Sequence, residues 1–266
     1  MDIDFIQLNK LAWNNKVDVH YHSEFYQVDG FIQQPFSLNQ IELDLLGNIK
    51  DKSILHLQCH FGQDTISLNK LGATATGVDF SEKAIERAKE LTKLTNSDCQ
   101  FICSDIYDLP NQLNQQFDVV FTSYGTIGWL PDLNQWAGVV SHFLKPGGLF
   151  VFAEFHPVVW MFDNDINQIA YSYFKAEPII EIEKGTYADK GAELETKTIS
   201  WNHSLSEVFN ALKNNHIQVE SFHEFNYSPY NCFQGMYEYE KGKFRFEKHQ
   251  DKLPLVYSLR GVKTNK

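Results

Sequence analysis

Between residues 53 and 153, short apolar runs alternate with amphipathic stretches of helical period, and no other feature restricts the possible folds as much. Residues 53–58, 74–78, 100–103, 117–122 and 149–153 read as strands, the fourth with the apolar continuity of a central parallel strand. Residues 63–71, 81–95 and 132–144 between them read as helices. In the second helix Ala84, Ile85, Ala88 and Leu91 form the apolar stripe, and Glu82, Lys83, Glu86, Arg87, Lys89 and Glu90 take the wet face. Ser81 stands at its N-cap, and Gly72 closes the helix before it. Strand and helix in strict turn call for right-handed crossovers and a parallel sheet covered on both faces. The expected class is therefore α/β, doubly wound.

Four segments follow from the same reading. Residues 1–36 are aromatic and polar without a clean period, which predicts an irregular N-terminal lid segment. Residues 37–154 form the core, opening with a helix N-capped by Ser37, carrying Leu38, Ile41 and Leu45 on one face and stopping at Gly47. Residues 155–203 break the alternation with a Glu-rich patch (Glu177, Glu181, Glu183) and an alternating run over 193–201, read as an inserted cap or β-arm. Residues 204–266 complete the sheet. They hold a helix over 204–214 with Ser204 as N-cap and Glu207 at the capping-box position, then strands over 217–225 and 253–262. A hairpin excursion around Lys241-Gly242-Lys243 separates those two strands.

Composition narrows the function classes. The balance of 23 Lys+Arg against 34 Asp+Glu, net charge −11, disfavours a phosphate-backbone footprint and hence a nucleic-acid partner. With 21 Phe, 12 Tyr and 5 Trp the chain has ample surface to bury, so disorder is excluded as its main state. Four Cys in no tight pattern read as reduced thiols. No basic start leads into an apolar run, and no stretch nears the ~20 apolar residues of a membrane span, so a cytoplasmic protein without a membrane partner is expected. His20-Tyr21-His22 and the Cys99/Cys103 pair fall short of a four-ligand set, so no metal is expected; oligomeric state is left open.

Ligands of open parallel sheets sit beyond the carboxyl ends of the strands, where strand order reverses. The first strand there meets Gln58-Cys59-His60-Phe61-Gly62-Gln63-Asp64, in which Gly62 allows close backbone approach. Asp79 ends the second strand and suits ribose hydroxyls. Asp105, after the third, suits an adenine amino group, with Phe80 and Ile106 against the ring faces. This trio of loop tips reads as nucleoside recognition.

The same residues resemble the class I S-adenosylmethionine-dependent methyltransferases. Asp79-Phe80, Asp105-Ile106, Phe117-Asp118-Val119-Val120-Phe121 and Leu144-Lys145-Pro146-Gly147-Gly148 match that family's successive motifs. Its first loop usually reads acid-x-Gly-x-Gly-x-Gly; here it is His56-Leu57-Gln58-Cys59-His60-Phe61-Gly62, and only the last glycine remains. The wording, with Asp64-Thr65 after it, resembles a bacterial branch of the family. The resemblance implies a seven-stranded, mostly parallel Rossmann-like sheet whose last pair is antiparallel, and S-adenosylmethionine as cofactor. Gln58, Cys59, His60, Gly62 and Asp64 are accordingly read as cofactor-binding; the side chains of Gln58 and His60 either displace the cofactor's methionine end outward or, as their polarity favours, meet its carboxylate or amino group.

In-line methyl transfer chiefly needs a held nucleophile and little water, so walls and a lid matter more than a triad. Tyr124 and Trp129 are expected as walls after the fourth strand, Trp160 after the fifth, and Tyr227, Tyr230 and Asn231 from the late segment. Tyr21 or Tyr26 is expected to bring the lid over the methionine end, and His156 is the general-base candidate. The reading is methyl transfer to a small molecule. Its competitors are a cofactor-binding module without transfer and, last because Gly-x-Gly-x-x-Gly is absent, a nicotinamide-dependent oxidoreductase.

Overall fold

The apolar runs do become strands. In a computed structural model that describes residues 4–264, the chain forms β1 (Ser53–Leu57), β2 (Thr74–Asp79), β3 (Cys99–Cys103), β4 (Phe117–Ser123), β5 (Leu144–Phe155), β6 (Ile179–Lys184), β7 (Glu195–Ser200), β8 (Ile217–Phe225), β9 (Met236–Glu240), β10 (Lys243–Phe246) and β11 (Val256–Lys263). The helices are α1 (Phe5–Tyr21), α2 (Val28–Gln33), α3 (Gln40–Leu46), α4 (Gln63–Lys70), α5 (Glu82–Leu94), α6 (Leu109–Gln112), α7 (Leu133–Phe143) and α8 (Leu205–Asn214). Seven strands form one sheet in the order β3-β2-β1-β4-β5-β11-β8. The first five strands of that order are parallel, and β11 lies antiparallel to both β5 and β8. This is the expected Rossmann-like sheet with its antiparallel final pair. β6 and β7 form a separate antiparallel ribbon inside the predicted arm, and β9 and β10 form the predicted hairpin excursion.

Packing follows the sequence pattern closely in α5, where the buried residues are Ala84, Ile85, Ala88 and Leu91 and Ser81 Oγ accepts from Ala84 N. On one face of the sheet, fully buried Trp136 of α7 meets Phe150 and Phe152 of β5 at 5.6 and 5.4 Å, and Phe152 meets Tyr257 of β11 at 5.6 Å. Each such side chain contributes about 1.5–3 kcal/mol by leaving water. The other face is closed by Leu45, Leu46, Ile54, Leu68 and Phe121.

The structure corrects four local expectations. The described part of the N-terminal segment is mostly helical rather than irregular: α1 runs for 17 residues, N-capped by Asp4. Its inward face, Asn9, Ala12, Lys16, Val17, His20 and Tyr21, has helical spacing but is half polar, so apolar periodicity could not reveal it. Each polar member has a specific partner; Asn9, for one, donates to Ile199 O at 2.8 Å and accepts from Ile199 N at 2.9 Å. Ser37 does not cap α3, whose N-cap is Asn39; its hydroxyl donates instead to Asp64 at 2.6 Å. Glu207 turns its carboxylate to His203 Nδ1 at 3.1 Å, while Ser204 accepts from Glu207 N as predicted. Residues 145–148 stay within β5, taking up a register shift against β4, with Gly147 at φ +72°. No described helix is long and apolar enough to cross a membrane.

Candidate functional site

Strand order reverses between β1 and β4: β2 and β3 extend to one side, β5 to the other. A cavity of about 1160 Å³ opens there over the carboxyl ends, floored by the loops after β1 to β5 and walled by α1, the segment after it, and the β6–β7 arm. It exceeds the usual span for a drug-sized ligand, leaving room for two molecules side by side.

The loop after β1 takes three consecutive alternate positions into left-handed backbone: Gln58 at φ +55°, His60 at +49° and Gly62 at +80°. Only the last is glycine, and it has to be. A Cβ there would stand 2.5 Å from the Phe101 ring. Gln58 and His60 accept a cost of about 1–2 kcal/mol each, and their side chains are engaged. Gln58 Nε2 donates to Thr126 O at 2.9 Å, tying the loop to the one after β4, while its Oε1 is buried without a partner. His60 Nε2 lies 3.0 Å from His20 Nδ1 of α1.

Asp79 sits where β2 ends and faces this loop. Its Oδ2 accepts from His60 N at 2.8 Å and its Oδ1 from Ser81 N at 2.9 Å. Burial pushes its pKa up to about 6, against the pull of those N–H groups. Asp105, after β3, accepts from Tyr107 N at 2.8 Å through Oδ1, and burial likewise raises it. A carboxylate offers about four lone-pair sites, so both acids keep acceptor capacity toward the cavity that they line together with Phe80 and Ile106.

Deeper in, Asp64 accepts from Ser37 and, at 3.3 Å, from Ser123, and burial raises its pKa. Beside it Tyr124 carries a buried hydroxyl that faces the buried carboxyl of Glu42, and its ring meets Tyr230 at 5.2 Å; Tyr230 Oη accepts from Asn39 at 2.9 Å. Tyr26 lines the cavity with its hydroxyl bonded to that of Tyr187 in the arm. Trp129, fixed by donation to Gly125 O at 2.7 Å, faces Trp13 of α1 at 5.5 Å, and Trp160 packs on Phe155 and Phe233 at the rim. Cys59 also lines the wall; burial pushes its thiol far above the ordinary range, so it is an inert filler.

Four predicted site residues lie elsewhere. Tyr21 is packed among Val28, Phe31, Phe61 and Ile66 under the Arg87 guanidinium, off the cavity wall. Tyr227 packs on Phe225 beneath Lys243, and Asn231 is exposed outside the cavity. His156 is buried on the far side. Its N–H donates to Leu255 O, which turns the chain so that the ring leaves the cavity. His156 Nδ1 accepts from Val158 N at 3.2 Å, so Nε2 carries the proton and donates to Glu224 at 2.9 Å. Burial lowers its pKa against the opposing Glu224. Both ring nitrogens are thus engaged away from the cavity.

Sequence reasoning also missed Glu154. Its buried carboxylate accepts from Gly125 N, from Thr126 N at 2.7 Å and Oγ1 at 2.9 Å, from Ile127 N at 3.1 Å and from Phe155 N at 2.7 Å. It therefore clamps the loop that carries Tyr124 and Trp129. An acid inside the run Phe150-Val151-Phe152-Ala153-Glu154-Phe155 was the available signal. Trp13 and Tyr187 went unnoticed as well; four of the five Trp residues line this cavity.

Comparison with known proteins agrees with this geometry. Residues 54–148 match the family model described as a methyltransferase domain. An uncharacterized methyltransferase of Synechocystis sp. is 33% identical over 126 residues, 47% of this chain and 57% of that protein. A ubiquinone biosynthesis O-methyltransferase of Coxiella burnetii is 31% identical over 119 residues, 45% of this chain and 49% of that protein. The chain thus spans about half the length of the curated relatives it matches. Among solved structures, a geranyl diphosphate C-methyltransferase from Streptomyces coelicolor, in complex with Mg2+, geranyl diphosphate and S-adenosyl-L-homocysteine, superposes with a TM-score of 0.61 at 14% identity, covering 99% of each chain. Loop wording, strand order and these likenesses converge: residues 54–148 are similar to a methyltransferase domain, in a chain that has the seven-stranded fold of S-adenosylmethionine-dependent methyltransferases.

Proposed function

We propose that the protein is an S-adenosylmethionine-dependent methyltransferase acting on a small molecule. The observation that carries this is the pair Asp79 and Asp105, on neighbouring strand ends, facing one cavity with the loop after β1. The residues fit the cofactor on two counts: both acids have spare acceptor sites, and Gln58 Oε1 is a buried polar atom without a partner at the same floor. Asp79 would accept the ribose hydroxyls and Asp105 the adenine amino group. Phe80 and Ile106 would hold the ring faces, and Gln58, Asp64 and Tyr124 the methionine end. S-adenosylmethionine, when bound, supplies a methyl group on a sulfonium that leaves as a neutral thioether.

The chain's own part is to orient the acceptor and exclude water, and orientation alone is worth up to ~7–11 kcal/mol in the best cases. Trp13, Tyr26, Trp129, Trp160 and Tyr230 give the acceptor chamber aromatic walls, which suit an apolar acceptor and also a cationic sulfonium. Residues 13–36 and the β6–β7 arm act as lid and cap, with the Tyr26–Tyr187 contact between them. Relatives that act on small isoprenoid or quinone-pathway molecules support the reading. Calorimetric titration with S-adenosylmethionine, S-adenosylhomocysteine and NADH tests it. The first two are expected to bind and the third not; binding of NADH alone would overturn the assignment. Turnover against small-molecule pools then tests transfer itself.

A further inference from the structure

Two residues in the loop after β1 hold left-handed backbone although they are not glycine, and each uses its side chain to reach a neighbouring element. Gln58 reaches the loop after β4. His60 reaches α1, where His20 is wholly buried, its ring stacked on Tyr26 at 5.4 Å. The two imidazoles share one proton at 3.0 Å, and Trp13 closes edge-on over His60 at 5.4 Å. His60 N, meanwhile, donates to Asp79. His60 is therefore a junction: one end on the acid that would take the ribose, the other on the N-terminal helix.

We infer that His20 is a positioning residue for the cofactor site, the His20–His60 bond holding the loop after β1, and through it Asp79, in register for the nucleoside. The inference rests on the methyltransferase reading. α1 does not need this bond for its own placement. Asn14 Oδ1 accepts from Ser81 Oγ at 2.6 Å, Asp18 pairs with Arg87 at 2.9 Å, and Asn9 is bound twice to Ile199. The bond consequently acts on the loop, where the usual glycine wording would leave backbone free. Burial keeps both rings neutral, at about 2 for His20 and about 3 for His60, so the tie persists through the working pH range.

The test is a double-mutant cycle on S-adenosylhomocysteine affinity by calorimetry, with His20→Ala, His60→Gly and the pair. A neutral hydrogen bond implies about three- to tenfold weaker binding for each single variant. The double variant should be no weaker than the worse single. His20→Asn, whose amide stands where Nδ1 was, is expected to recover most of the affinity. Amide exchange of residues 58–62 should quicken in His20→Ala by more than the global loss of stability accounts for, while the amides of α1 stay protected. His60→Gly also relieves the strained backbone. Parent-like or tighter binding by it would overturn the inference, as would strictly additive losses or no rescue by Asn. If the parent protein itself fails to bind S-adenosylhomocysteine, it is the methyltransferase reading that falls. Should His20→Ala not fold, His20→Asn against His60→Gly still decides: equal affinity in those two would refute the tie.

Discussion

Acidification should weaken cofactor binding through Asp79, and the size of the effect can be worked out. Burial pushes this carboxyl up to about 6. Ribose hydroxyls donate, so the ionised form is the one that binds, and binding must lower that pKa and release a proton where the group is part protonated. Affinity is then flat above about pH 7 and falls as pH drops through about 6. At pH 5 roughly one molecule in ten carries the ionised acid, a loss of about tenfold or ~1.4 kcal/mol. Folding stability moves the other way. A folded-state pKa above the ordinary carboxyl value of 3.8 contributes stability that is present below that value and lost as pH rises through about 6, a difference of ~3 kcal/mol. Titrating S-adenosylhomocysteine from pH 5.0 to 7.5 in two buffers of different ionisation enthalpy counts the protons directly. Asp79→Asn should bind more weakly at pH 7.5, by about 1–3 kcal/mol, and lose the slope near pH 6. Asp105 is raised in the same direction, so the comparison with Asp79→Asn is what isolates Asp79. An unchanged slope in that variant would refute the argument.

Three further perturbations have defined outcomes. Gly62→Ala combines a positive φ with a Cβ placed 2.5 Å from the Phe101 ring and should lower stability by about 2–4 kcal/mol in chemical denaturation. A loss under 1 kcal/mol would mean that the loop has slack. Glu154→Ala strands the N–H groups of Gly125, Thr126 and Ile127, at ~1–3 kcal/mol each for those that water cannot reach, and should cost at least ~3 kcal/mol; unperturbed Trp129 fluorescence would count against the clamp. His156→Ala should leave turnover near that of the parent while lowering the melting temperature, and a hundredfold loss of turnover in a folded variant would restore His156 to the chemistry.

What the sequence disclosed and what it hid divide along one physical line. Strands buried on both faces and α5, wet on one, write themselves in apolar periodicity, and Gly62, Asp79 and Asp105 were readable because strand ends fix loop tips. α1 was hidden because its inward face uses Asn9, Lys16 and His20, whose burial is compensated by partners up to 190 residues away. His156 was misplaced for a related reason. Strand alternation predicts where a side chain points only while the strand lasts, and β5 ends at Phe155. Tyr21, Tyr227 and Asn231 were chosen for being polar or aromatic near the right segment, which does not fix the direction a side chain takes.

The altered glycine loop poses an energetic question that its geometry answers in part. Left-handed Gln58 and His60 cost about 1–2 kcal/mol each, and the Gln58–Thr126 and His60–His20 bonds return about 0.5–1.5 kcal/mol apiece. Strain and ties roughly cancel, so stability alone gives no preference for these residues over glycine. Their effect has to lie in the cavity, in how firmly the loop is held and which polar atoms it presents. A variant carrying both Gln58→Gly and His60→Gly should accordingly unfold within ~1 kcal/mol of the parent by denaturant titration, yet bind S-adenosylhomocysteine at least several-fold more weakly. If it loses stability by several kcal/mol instead, the two side chains are structural pillars, and the loop's departure from the usual wording says nothing about ligand binding.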